Sequence, residues 1–231
     1  MMFHSLDAVA AVWLTLSIAA SFYVAYDVTA GGHPQPMWIM SVVWPLTILY
    51  WGPAGLIFYF WFGRTRRTRT DGSEAGHDPT HDSDQAPMWQ AVFKGATHCG
   101  AGCASGDFVA DWIAYASAVT LAGSKLGGKL ALAFVFAYVV GVVFQYFSIA
   151  PMRGLGLRDG LVAAVKADTL SLVAYEVGMF ACMIAFSHAF PSLEPTRPVY
   201  WVLMQAAMIV GFATTYPVNW WLISRGWKER M

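Results

Sequence analysis

The chain is expected to be an all-α, polytopic transmembrane helix bundle of six spans with both termini in the cytoplasm. Three observations lead there. Hydrophobic residues make up 57% of the 231 residues and charged residues only 12%, against roughly 45–50% and about 25% in globular domains. The apolar residues fall in runs of the length that crosses about 30 Å of hydrocarbon. Lysine and arginine gather on alternate connections. Aromatic residues at 16% argue against disorder. Fourteen basic residues offset fourteen acidic ones, so bulk charge points to no nucleic-acid partner. Three cysteines exclude a disulfide framework.

The first span, about 8–26, is the uncharged run between Asp7 and Asp27. It lacks the basic start of a signal peptide, so it reads as an uncleaved helix. The second, about 37–62, contains Pro45 and Pro53, which neighbouring helices can accommodate. The third, about 96–122, must carry Asp107 and Asp111, and the fifth, about 168–190, must carry Glu176. The fourth, about 130–152, and the sixth, about 198–224, are free of charge. Residues 88–94 and 158–168 have charged ends around apolar middles and read as interfacial helices. Eleven of the fourteen Lys and Arg then lie on one side, leaving Lys125, Lys129 and Arg197 on the other.

Three units follow: a two-helix addition at 1–63, a flexible cytoplasmic loop at 64–87, and a four-helix membrane domain at 88–231. The loop is rich in charge, Gly and Pro, and its His77 and His81 read as solvated.

The stretch His98-Cys99-Gly100-Ala101-Gly102-Cys103 holds the densest chemistry. Cys99 and Cys103 are one turn apart on one helix face, with Asp107 and Asp111 continuing the row. Two thiolates and the His98 imidazole suit a soft or borderline cation, copper or zinc. The same small residues also suit close helix packing, so a packing-only role stands beside the metal site. Ionisable groups inside a membrane helix are costly and face the bundle interior. Counting the helix rise from the expected entry points puts Asp107, Asp111, Gln145, Glu176, Tyr216 and Asn219 in one intramembrane polar layer above the thiols. Such a layer can bind a cation, carry protons or hold the bundle together. Met179 and Met183 read as core filler.

With His98–Asp107 (HCGAGCASGD) and Tyr216–Leu222 (YPVNWWL), the chain resembles a bacterial family of uncharacterised integral membrane proteins whose members are often labelled copper oxidases. The resemblance covers about residues 90–230 and includes Lys166–Thr169 and Glu176–Met179. It implies a bacterial cytoplasmic membrane location and a copper-linked role for His98, Cys99, Cys103 and Asp107. The chain lacks the paired His-x-His segments of a multicopper oxidase, so oxidase activity is not carried over. The function expected is soft-metal handling at the cytoplasmic mouth of the bundle, with copper or zinc exchanged with a metal donor or acceptor protein. A membrane-embedded redox enzyme using a metal or quinone, and a structural or assembly subunit, are the alternatives.

Overall fold

The computed structural model describes residues 2–65 and 87–230. Most of the 64–87 connection, with His77 and His81, therefore lies outside the described residues. Those described are all-helical, with six main helices and no named strand. They are α1 (Met2–Thr29), α2 (Met40–Trp51), α3 (Met88–Ser117), α4 (Lys125–Arg153), α5 (Leu157–Ala189) and α6 (Pro198–Ser224). Five stretches are long and apolar enough to cross a membrane: Ser5–Thr29, Met40–Gly63, Lys125–Arg153, Leu157–Ala189 and Pro198–Ser224. Phe22, Ile57, Val135, Val139 and Val177 are exposed, while Asp107, Gln145, Asp168 and Glu176 are buried. A polar interior within an apolar surface is the pattern of a chain solvated by lipid.

Met40–Gly63 meets that criterion by length and composition, but it does not run straight. After α2 the chain passes through a 3-10 turn (Gly52–Ala54), a short α-helical limb (Gly55–Phe58) and a π turn (Tyr59–Gly63). Gly52 takes φ 63° with Pro53 behind it, a left-handed conformation that only glycine adopts without strain. The returning limb packs against the outgoing one. The Trp44 ring lies 5.5 Å from that of Tyr59, and the Trp51 ring 5.0 Å from that of Phe58. A Cβ on Gly63 would sit 2.4 Å from the Trp44 ring, so the two ends of the segment are side by side. Gln35 donates to the Gly63 carbonyl (3.2 Å) and Thr65 to that of Pro34 (2.9 Å) at the same level. The expected second span is thus folded back on itself as a hairpin.

This changes where the ends lie. Asp7, near the start of α1, pairs with Arg197 at the start of α6 (2.5 Å). Trp38, after the end of α1, packs on Phe147 near the end of α4 (5.1 Å). The N-terminus therefore lies on the face where α6 begins, termed here the far face. The C-terminus lies on the opposite, tail face. The two ends of the described chain thus come out at opposite ends of the bundle, where six straight helices would bring them to one, because the second segment doubles back.

Helix α3 is the least apolar of the six and the most central in role. Its Gly102 and Gly106 bring it against Gly141 and Ala137 of α4. It starts at Met88 rather than Ala96 and ends at Ser117, short of the expected 122. The stretches at 88–94 and 158–168 are the opening turns of α3 and α5, not separate interfacial helices. In each case a charge had marked a boundary that the helix in fact carries through.

The N-terminal hairpin packs on the rest. Trp13 Nε1 donates to Gln205 Oε1 (2.8 Å), and Gln205 Nε2 donates to the Leu49 carbonyl (2.5 Å). At the tail face buried Asp27 accepts from the Tyr59 hydroxyl (2.7 Å) and from Arg64 Nε and Nη2 (2.8 Å each). These bonds satisfy both oxygens of a carboxylate that would otherwise be stranded.

Candidate functional site

The side chains of interest stand on the interior face of α3. Cys99, Cys103, Asp107 and Asp111 follow one another at turn spacing, and all four are buried. They can be so because the glycine face of the same helix makes the close approach to α4. Cys99 adjoins Cys103, which in turn lies beside Glu176 of α5. Asp107 lies within electrostatic reach of both Glu176 and Asp111. Tyr50 and Tyr175 close the sides: an added Cβ on Gly100 would sit 2.6 Å from the Tyr50 hydroxyl and 3.2 Å from the Tyr175 ring.

The row continues at both ends. Toward the far face, Asp111 pairs with Lys129 of α4 (3.3 Å) and accepts from the Tyr200 hydroxyl, which accepts in turn from Lys129. These three side chains form part of a cavity of about 420 Å³, which also includes Lys125 and Glu194. Toward the tail face, Asp168 of α5 pairs with Lys228 (3.2 Å), and both side chains are fully buried. Ser171 donates to Asn219 Oδ1 (3.0 Å), and Asn219 reaches the Thr215 hydroxyl (3.2 Å).

The expected polar layer is therefore a column along the bundle axis. With about 1.5 Å of rise per residue, Cys99 is about 16 Å and Asp107 about 28 Å from the start of α3 at Met88. Asp107, Asp111, Glu176, Gln145 and Asn219 are all buried, at different depths. Tyr216 stands apart, half-buried, donating to the Trp89 carbonyl (3.1 Å). Met179 and Met183 pack in the main apolar cluster as filler.

Many of the column's polar atoms have no hydrogen-bond partner. Both carboxyl oxygens of Asp107, both of Glu176, both amide atoms of Gln145 and the hydroxyls of Tyr50 and Tyr175 are buried without one. Native proteins leave few such groups, and each needs a reason. Asp107 and Glu176 also take part in no ion pair among the described residues.

His98 does not join the thiols. Its ring turns toward Phe144 of α4 (6.1 Å between centroids) and toward the charges of Asp168 and Lys228. Among the described residues no three His, Cys, Asp or Glu side chains come together as metal ligands. The expected donors His98, Cys99, Cys103 and Asp107 therefore do not converge as one set, and among the described residues they do not assemble the three or four ligands of a zinc centre. Adjacent sequence positions on a helix diverge by about 100°, and no break in α3 brings His98 round.

Sequence reasoning missed Lys129, Tyr200, Asp168, Lys228, Tyr50 and Tyr175. Lys129 and Asp168 were used to mark helix ends, although each lies one to three turns inside its helix. The tyrosines carried no pattern that separates them from lipid-facing aromatics.

The model of the family described as Domain of unknown function (DUF4396) matches residues 88–228, more than half of the chain. The chain belongs to the DUF4396 family. The DUF4396 match takes in α3 to α6 and Lys228, and thus every column residue except Tyr50. No curated protein and no solved structure matches the chain.

Proposed function

We propose that this DUF4396 protein passes protons along the interior of its helix bundle, with the tail face in the cytoplasm. The observation that carries this reading is the Asp107–Glu176 pair, two buried carboxyls within electrostatic reach of each other whose four oxygens lack hydrogen-bond partners. Two buried carboxyls within electrostatic reach of each other cannot both ionise at tolerable cost, so at least one of them holds a proton. Thiols and tyrosine hydroxyls beside the pair are groups that can accept and pass on a proton. The column's ends, Asp111 beside Lys129 and Asp168 beside Lys228, lie toward opposite faces. Among the described residues no three His, Cys, Asp or Glu side chains converge as a zinc or calcium site would require.

The test is proton flux. Purified protein in vesicles holding a pH-sensitive dye, driven by a potassium diffusion potential, is expected to change internal pH faster than empty vesicles. Asp107→Asn should return the rate to that of empty vesicles, a loss of at least about tenfold. Equal rates for the parent and the variant would overturn the reading.

Orientation has its own prediction. Among the described residues Arg64, Lys94, Arg153, Arg158, Lys166, Arg225, Lys228 and Arg230 lie toward the tail face, against Lys125, Lys129 and Arg197 toward the far face. The basic-rich side is the cytoplasmic one. A reporter fused after Met231 is expected to be active inside, and one fused before Met1 outside. Both reporters on the same side would contradict the re-entrant hairpin.

A further inference from the structure

The last turn of α6 is followed by a short segment whose behaviour differs residue by residue. Gly226 takes φ 69° and turns the chain back, with Trp227 N donating to the Leu222 carbonyl (2.9 Å). Trp227 is exposed and packs on the Trp221 ring at 5.5 Å. Glu229 reaches out to Arg153 at the end of α4 (2.6 Å), a partly exposed ion pair. Between them Lys228 does the opposite. Its side chain is wholly buried, runs past Gly95 of α3 and ends 3.2 Å from Asp168 Oδ1.

A lysine next to a polar face would ordinarily extend its ammonium to water. Taking the charge inward costs several kcal/mol unless a counter-ion compensates it. Asp168 is that counter-ion, and it is itself the tail-face end of the column. Its second oxygen, Oδ2, is buried without a partner and points to where α4 passes, 3.5 Å from the position a Cβ on Gly141 would take. His98 and Cys99 both lie within electrostatic reach of this ion pair. A cleft of about 630 Å³ lined by Arg153, Lys166, Ala167, Gly226 and Trp227 flanks the segment and gives it room to swing aside.

We infer that the C-terminal segment is a tethered plug: the Lys228 ammonium occupies, in place of a mobile cation, the acidic position at the tail-face entrance to the column, and its withdrawal opens Asp168, His98 and Cys99 to water. The Arg153–Glu229 pair holds the plug in place from outside. As a gate on proton passage this rests on the function proposed above, but the closure itself is read independently of any flux.

Cys99 is the reporter. In the full chain carrying Cys182→Ser, the Cys99 thiol is treated with a water-soluble trimethylammonium methanethiosulfonate, and its modification is followed by peptide mass. Lys228→Gln is expected to raise the modification rate at least about tenfold, as for an opening made more probable. Lys228→Arg keeps a cation in the site and should leave the rate near that of the parent. Arg153→Ala, which breaks only the exposed tether, should raise it severalfold. An unchanged rate in a folded Lys228→Gln protein, or equal rates for Lys228→Gln and Lys228→Arg, would overturn the plug. If Lys228→Gln does not fold, Arg153→Ala decides alone, and no rise there counts against the proposal. Loss of flux with Cys99 still shut in the parent and opened in Lys228→Gln defeats proton passage and leaves the plug standing. Flux with Cys99 indifferent to Lys228 does the reverse.

Discussion

Gly106→Val is expected to destabilise the folded bundle by about 3 kcal/mol or more, the upper range of overpacking effects. The reason lies in backbone contact. A Cβ at position 106 would stand 2.4 Å from the Ala137 nitrogen and 2.5 Å from its Cα. No rotamer change can relieve this, because the obstacle is the main chain of α4. Helices α3 and α4 would have to separate along their length, and without a hydrophobic drive between helices in lipid little would bring them back. Gly102 meets Gly141 in the same seam, with an added Cβ 2.9 Å from its Cα, so the neighbouring turn cannot absorb the shift. Gly156 is the matched control. Nothing lies within 4 Å of its added Cβ, and its φ of −69° suits any residue. Gly156→Ala should change stability by no more than about 0.5 kcal/mol. Thermal melting by tryptophan fluorescence, with gel filtration for monodispersity, compares the two. Equal melting would refute the close seam.

The same seam shows why the sequence was readable in some places and not in others. Uncharged runs locate α1, α4 and α6 closely, because lipid contact demands apolar residues of sufficient number. Helix α3 escapes that demand by lying inside, so Lys94 at its start looked like a boundary and the thiols looked shallow. One wrong entrance then compressed a column into a layer, since every depth was counted from it. The hairpin is a different failure. A re-entrant segment and a crossing helix share length and composition, and the difference rests on Gly52-Pro53 near the middle. Pro53 was visible, but proline inside a membrane helix is tolerated often enough that it decides nothing without the glycine's left-handed φ. The acids themselves were legible. Asp107, Asp111 and Glu176 were expected to be interior from cost alone, and all three are. Their grouping was not, because contacts between helices depend on rotation about each axis, which weakly amphipathic membrane helices do not encode.

The acid pair separates a working site from structural glue, and the sign of a stability change does it. Were Asp107 and Glu176 holding helices together, each would have a bonded partner, and the amide variants would loosen the bundle. Neither has one among the described residues. Replacing partnerless buried acids with uncharged isosteres removes a desolvation cost and gives up no hydrogen bond. The double variant Asp107→Asn, Glu176→Gln is therefore expected to fold and to melt no lower than the parent, with a gain of about 1 kcal/mol. Proton flux in the same vesicles should nonetheless fall at least about 100-fold, the scale of losing a positioned acid–base group. Infrared spectroscopy gives a third readout. The parent should show the carbonyl stretch of a protonated carboxylic acid, shifting in deuterated water, and the double variant should lack it. A variant that aggregates or melts clearly lower would assign the pair to structure, because only groups that bond in the folded state can be missed when their charge is taken away.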